Sequence, residues 1–446
     1  MSASEPSSTT GRDAAAMPPH TAPAALPGRV VSPRIAALAT TAVDEEWWSA
    51  VRSGPVPWCE PDPTDERYRI VTFLWRDRHG TGTGTRAVVV SVNKVTDRSE
   101  PQTGRLHRVV GTDVWTGSWR LRADWRGSYR IAADDRDPLP PDRYWSTLAS
   151  RGGPDPLNPD QIPGRWGGEL SVGALPQAPP QPWWSARPGA PEGATQRHDL
   201  PGDGRPVWVY TPPGHHAAAG PYPVLVLLDG EMWGPAMPIA PTLDNLIADG
   251  AIPPLVALMP GATDLPTRRR ELTCSPEFLR LLSDRMLPWA ASRWNVTDDP
   301  ARTVIAGQSL GGLTAAYAGF TAPQRFGVVV AQSGSFWWPS GTPFDAGAGW
   351  LTRQFAQNPH RPVRMYVSAG LLEGPQHARH LRDVLVARGY DLAYTEYFGG
   401  HDYAWWRGDL GTALARVCRD WPRRPAAGHD QAAGQCRTTF CQGDKW

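Results

Sequence analysis

Apolar and polar positions change their grammar once along the chain. From about residue 65 to 133, Val, Ile, Trp and Tyr alternate with polar residues in short segments, "YRIVTFLWRD", "TRAVVVSVNKVTD" and "RLHRVVGTDVWTGSWRLRADWRGSYRIAAD", separated by Gly, Asp and Asn. Alternation turns successive side chains to opposite faces, and between turn residues it predicts the strands of an antiparallel sandwich of the immunoglobulin-like kind. From about residue 205 the runs are continuously apolar: "YPVLVLLDG", "IPPLVALMPG", "ARTVIAGQS", "FGVVVAQSG" and "PVRMYVSAG", with helical stretches between them. An uninterrupted apolar strand is buried on both faces. The second half is therefore predicted as an α/β domain with a mostly parallel sheet, its functional loops at the carboxyl ends of the strands.

Residues 134–200 belong to neither pattern. "DPLNPDQIPG" and "LPQAPPQPWW" are so rich in Pro that neither helix nor central strand is expected, and the segment reads as a surface connector. The expected organisation is a disordered leader over 1–40, a β-sandwich domain over 41–133, the connector over 134–200, a catalytic domain over 201–422 and a polar tail over 423–446. The leader lacks the basic start and apolar core of a secretory signal, and no apolar stretch reaches membrane-spanning length, so the expected location is the cytoplasm.

Composition adds three points. Lys plus Arg is 45 and Asp plus Glu is 44, a formal net charge of +1 that gives no global case for nucleic acid or an anionic membrane as partner. The 22 Trp, several in pairs such as Trp337 and Trp338, are expected mostly in cores, with some lining a pocket for planar ligands. Of five Cys, Cys59, Cys274 and Cys418 are too scattered to suggest a metal site; Cys436 and Cys441 lie in the tail.

The candidate chemistry lies in "TVIAGQSLGGLTAAYAGF". A strand ends, Gly307, Ser309 and Gly311 form G-x-S-x-G, and a helix begins. Small residues on both sides of the serine suit a strained elbow that lifts a nucleophilic hydroxyl into a cleft. The chain order required of such a site is Ser, then acid, then His. "PVRMYVSAGLLEG" runs into Glu373 and "DLAYTEYFGGHDYAWW" into His401, with Asp402 and Asp391 as the other carboxylates in reach. An α/β-hydrolase arrangement of Ser309, His401 and Glu373 is expected, with the backbone N–H of Leu310 and of Gly230 or Glu231 as oxyanion hole. Trp233 is expected to wall the pocket. In "LPTRRRELTCSPEF" at least one arginine, Arg268 foremost and Arg270 beside it, is expected to bind substrate, since guanidinium recognises anions and stacks on aromatic planes.

These residues resemble the enterochelin (ferric enterobactin) esterase family from about Trp48 to Trp421. The resemblance rests on the order of "RIVTFLWRD", "GTDVW", "ADWRGSYRI", "DPLNP", "LPQAPPQP", "LLDGEMW", "REL", "AGQSLGGLTAAYAGF", "QSGSFWWP" and "GGHDYAWWRG". It implies an amino-terminal sandwich before an α/β-hydrolase domain, and hydrolysis of the ester bonds of a ferric catecholate trilactone siderophore. Ser309 matches the nucleophile, His401 the base and Arg268 an arginine ahead of "EL"; Trp337, in "QSGSFWWP", is taken as a substrate-binding aromatic. No cofactor is implied, because the substrate carries the iron, and the chain is expected to act as a monomer. Two other readings stay open: a feruloyl-type or other carboxylic esterase, and a siderophore-binding protein without chemistry.

Overall fold

The computed structural model describes residues 26–81, 84–135, 139–165, 167–339 and 347–422. Its first unit is an antiparallel sheet built from β1 (Arg29–Val30), β2 (Trp58–Pro61), β3 (Tyr68–Arg76), β4 (Val88–Val92), β5 (Arg105–Arg108), β6 (Val114–Arg122), β7 (Arg126–Ala133), β8 (Gln161–Pro163) and β9 (Glu169–Ala174). The hydrogen-bonded order is β2-β3-β6-β5-β4-β7-β9-β8, with β1 on β6. Alternation sends Val71 and Phe73 of β3, Val88 and Val90 of β4, Trp119 and Leu121 of β6 and Tyr129 and Ile131 of β7 into one core. The opposite face of β7 presents Ser128 and Arg130. Leu372 of the second unit is part of this core and Phe398 packs against it, so the two units share buried surface.

The second unit holds β10 (Ala194–Asp199), β11 (Pro206–Thr211), β12 (Val224–Leu227), β13 (Val256–Pro260), β14 (Thr303–Gln308), β15 (Val328–Gln332), β16 (Arg364–Gly370) and β17 (Asp391–Tyr397) in the order β10-β11-β13-β12-β14-β15-β16-β17. All pairs from β13 to β17 are parallel; β10 and β11 are antiparallel additions at one edge. The continuous apolar runs divide between two cores, Val224, Val226 and Ile305 on one face and Leu225, Leu227 and Ala306 on the other. That is the burial on both faces which the runs predict.

The Pro-rich segment differs from expectation. It contains the helix Tyr144–Ser150 and strands β8 and β9, and β9 pairs with β7 of the first sheet. The prolines are placed where they do no damage: the helix has none within it, and Pro163 ends β8, which among the described residues pairs with β9 alone. Asp155 fastens the intervening turn by accepting from Tyr129 Oη (2.8 Å) and from the Leu157 N–H (2.9 Å). The leader is ordered in its last part as well. Residues 33–37 form a short helix capped by Ser32, and β1 pairs with β6. The rest of the leader before residue 26, and the tail from 423 with Cys436 and Cys441, lie outside the described residues. Cys59, Cys274 and Cys418 are free thiols. No helix among the described residues is long and apolar enough to cross a membrane.

Candidate active site

Strand β14 ends at Gln308, and Ser309 takes φ 59° and ψ −122° before the helix Leu310–Thr321 begins. A residue with a Cβ holds this conformation only when its surroundings enforce it. They do so here: the Ser309 N–H donates to Gln332 O (3.0 Å), and the Ser309 carbonyl accepts from Ser335 N (3.0 Å) and Leu313 N (3.1 Å). The glycines are needed for space. A Cβ on Gly307 would lie 2.5 Å from the Gly311 carbonyl carbon, and one on Gly312 would lie 3.0 Å from Gly334 Cα. Behind the turn runs a buried chain of hydrogen bonds, Trp233 Nε1 to Gln308 Oε1 (2.9 Å), Gln308 Nε2 to Gln332 Oε1 (2.8 Å) and Gln332 Nε2 to Asp409 Oδ2 (2.7 Å). The residue preceding Ser309 is thereby fixed from below.

His401 lies beyond the end of β17, on a loop that passes between the two units. A Cβ on Gly399 would meet Trp405 Nε1 at 2.0 Å, and one on Gly400 would meet Asn93 Oδ1 at 2.3 Å, so only glycine lets this loop through. Asn93 Nδ2 of the β unit donates to the His401 carbonyl (3.0 Å), and the imidazole stands edge-on to Trp406 at 4.8 Å. Among the three candidate acids, Glu373 is the one in contact: its Oε2 is hydrogen bonded to His401 Nδ1, and its Oε1 accepts from the Gly370 N–H at 2.6 Å. Asp402 instead caps the helix Tyr403–Val417 through the Ala404 N–H (2.9 Å) and accepts from the Ser128 N–H, and burial pushes its pKa up. Asp391 is paired at the surface with Arg364 (2.7 Å).

Ser309 and His401 open into one cavity of about 400 Å³. Its walls come from both units: Gln308, Tyr403 and Trp406 from the α/β unit, and Asn93, Ser128, Arg130 and Arg98 from the β unit. The loop after β12 crosses its edge. Asp229, at φ 62°, leads into Gly230, where a Cβ would fall 2.1 Å from Met259 O. Gly230, Glu231 and Leu310 stand at helix starts, where backbone N–H groups have no intrahelical acceptor.

The predicted arginines behave differently from expectation. Arg268 lines the cavity but is only 8% exposed, and its guanidinium is committed to Asp229, Nε to Oδ1 at 2.6 Å and Nη2 to Oδ2 at 2.7 Å. Arg270 turns outward to Thr267 Oγ1 (3.2 Å), whereas Arg269 reaches the cavity. Trp233 is fully buried behind the elbow and does not line this cavity; Trp406 takes that place. Trp337 is half-buried outside the cavity lining.

Sequence reasoning missed Arg165, which lies in the hairpin between β8 and β9. Its Nη2 donates to Asp229 Oδ1 and Glu231 Oε1, and its Nη1 to Tyr403 Oη, each at 2.8 Å. Burial pushes the Asp229 carboxyl up, but Arg268 and Arg165 outweigh it and hold it below the usual carboxylate range. Burial, and then Asp229, raise Glu231. Arg165 therefore ties the segment carrying Gly230 and Glu231 to the Pro-rich region. No local pattern in "IPGRWGG" announces this. Arg130 was more accessible, since the alternation of β7 that buries Tyr129 also turns Arg130 the other way.

A family model described as "Enterochelin esterase, N-terminal" matches residues 70–184, and one described as "Putative esterase" matches 200–417. The iron(III) enterobactin esterase of Dickeya dadantii (strain 3937) is 35% identical over 423 residues, covering 87% of this chain and 95% of that one. Among solved structures, the ferric enterobactin esterase of Salmonella typhimurium has a TM-score of 0.74 at 32% identity, covering 84% of this chain and 99% of the other. The enterobactin esterase of Shigella flexneri, solved in the presence of enterobactin, has a TM-score of 0.70 at 33% identity, covering 84% and 98%.

Proposed function

The chain belongs to the enterochelin (iron(III) enterobactin) esterase family, and on that premise we propose that it is a serine esterase cleaving the ester bonds of an iron(III) catecholate trilactone. The observation that carries this reading is that His401, hydrogen bonded to Glu373, shares with Ser309 a cavity walled by both units. A hydrolase of small esters has no need of the second unit; a bulky ligand does.

The chemistry follows from the groups present. Glu373 holds Nδ1 of His401, leaving Nε2 to take the proton of Ser309 Oγ as that oxygen attacks the ester carbonyl. The negative charge that develops on the carbonyl oxygen meets the N–H of Leu310 and of Gly230 or Glu231. His401 returns the proton to the departing alkoxide, which opens the lactone and leaves an acyl group on Ser309. Water then attacks the acyl carbonyl, its proton passing to His401, and Ser309 is released. Iron enters as part of the substrate and leaves once its ligand is opened, a sequence that fits a monomer in the cytoplasm receiving imported siderophore. We read the β unit as an immunoglobulin-like sandwich that covers the ligand.

The test is product analysis by mass after incubating the protein with iron(III) enterobactin. Linear trimer, dimer or catechoyl-serine is the expected outcome; binding without any opened product would leave a siderophore carrier instead.

A further inference from the structure

This inference rests on the reading above and concerns how the site meets the charge of its ligand. The expected cations are committed elsewhere, Arg268 to Asp229 and Arg270 to Thr267. The β unit supplies two others. Arg130 projects from β7 on the same face as Ser128, and its stem crosses Gly152, where a Cβ would come within 2.9 Å of Arg130 Cδ. Arg98 stands on the segment that follows β4, and both arginines line the cavity into which Ser309 opens.

Neither makes an ion pair or a hydrogen bond among the described residues. Burial, with Arg98 as a second cause, pushes the pKa of Arg130 down. Lys94 on the same segment is lowered by burial too, Arg98 adding to the effect and Glu373 and Asp97 opposing it. Asp97 itself accepts from the N–H and Oγ of Ser99, at 2.8 and 2.6 Å. Arg98 is exposed at the cavity rim and Arg130 is half-buried below it. A partly desolvated guanidinium beside a like charge, without a carboxylate partner, costs free energy that a bound anion recovers.

We propose that Arg98 and Arg130 form an anion subsite that receives the iron(III)–catecholate portion of the substrate while an ester carbonyl reaches Ser309. Catecholate oxygens on iron carry net negative charge and lie in planes that a guanidinium matches by hydrogen bonding and stacking. Metal-free catechols keep at least one phenolic proton per ring near neutral pH and carry less charge than the fully deprotonated rings on iron, so this pair makes the site prefer the iron-loaded ligand.

The test compares wild type with Arg98→Gln/Arg130→Gln on iron(III) enterobactin and on its metal-free form. The ratio of kcat/KM between the two substrates is expected to fall about tenfold or more, through KM and with a weaker salt dependence, and Arg98→Lys/Arg130→Lys should recover most of it. An unchanged ratio, or an equal loss on both substrates, overturns the subsite. Should wild type cleave neither, the substrate reading fails separately. The subsite is then judged by equilibrium binding of iron(III) enterobactin, where an affinity equal in wild type and double variant overturns it.

Discussion

The elbow at Ser309 and the Pro-rich segment at 134–200 supply opposite sides of the same cavity and teach different things about how a site is encoded. At the elbow the requirements that mark the sequence are local, although the hydrogen bonds that hold the turn come from Gln332, Ser335 and Trp233. Gly307 and Gly311 flank the serine, an apolar strand precedes it and a helix follows, so the candidate role of the stretch is legible within a few residues. In the Pro-rich segment the requirements are distant. Arg165 matters because β9 pairs with β7 and the hairpin beyond β8 reaches Asp229, Glu231 and Tyr403. Composition there signals only that proline is abundant; which backbone groups can spare a donor is decided by sheet edges far along the chain.

The comparison is sharpened first at the elbow's partners. Glu373→Gln should lower kcat by roughly 10³ to 10⁴, because the imidazole loses the carboxylate that orients it and stabilises its charge. Asp391→Asn, which alters a surface pair, should change neither kcat nor stability by more than a few tenths of a kcal/mol. Steady-state kinetics with thermal melting reads both, and equal losses in the two variants would break the assignment of the acid.

On the other side, Arg165→Gln should lower kcat by about tenfold to a hundredfold with a smaller change in KM, since the backbone of Gly230 and Glu231 loses its tie. A variant with normal kcat would return the Pro-rich segment to the status of a passive connector. A separate effect, on stability alone, concerns Asp155, which burial pushes up to about 6. Its folded pKa exceeds its unfolded one, so its contribution to stability is complete below the unfolded value and is lost as pH rises through about 6, on the order of 2 to 3 kcal/mol. Melting of wild type and Asp155→Asn at pH 5 and pH 8 should therefore show the substitution becoming relatively more favourable at pH 8, and a pH-independent difference would contradict the burial argument.

Much of the architecture was legible because period two and continuous apolarity are physical consequences of one-face and two-face burial. Ser309 and His401 were candidates because an elbow and a final strand-end loop constrain sequence nearby; the structure brings both to one cavity, and Glu373, found after the right strand, is the carboxylate in contact with His401. The arginines were not. "TRRRE" advertises charge, yet a buried carboxylate on another strand neutralises Arg268, and the helix turns Arg270 outward. The cavity-lining arginines of the β unit, Arg98 and Arg130, whose guanidiniums make no ion pair among the described residues, sit in segments where nothing local in the sequence marked them. Charge in a sequence counts residues, whereas charge in a cavity depends on which partners the fold brings to each.

The central claim is that Ser309 is the atom-bearing nucleophile of this cleft. The most direct measurement is the rate of iron(III) enterobactin opening by Ser309→Ala beside wild type, with ligand binding followed by quenching of tryptophan fluorescence. The account predicts that binding persists while turnover falls by on the order of 10⁵ or more. Turnover within tenfold of wild type would contradict it and place the chemistry on another group.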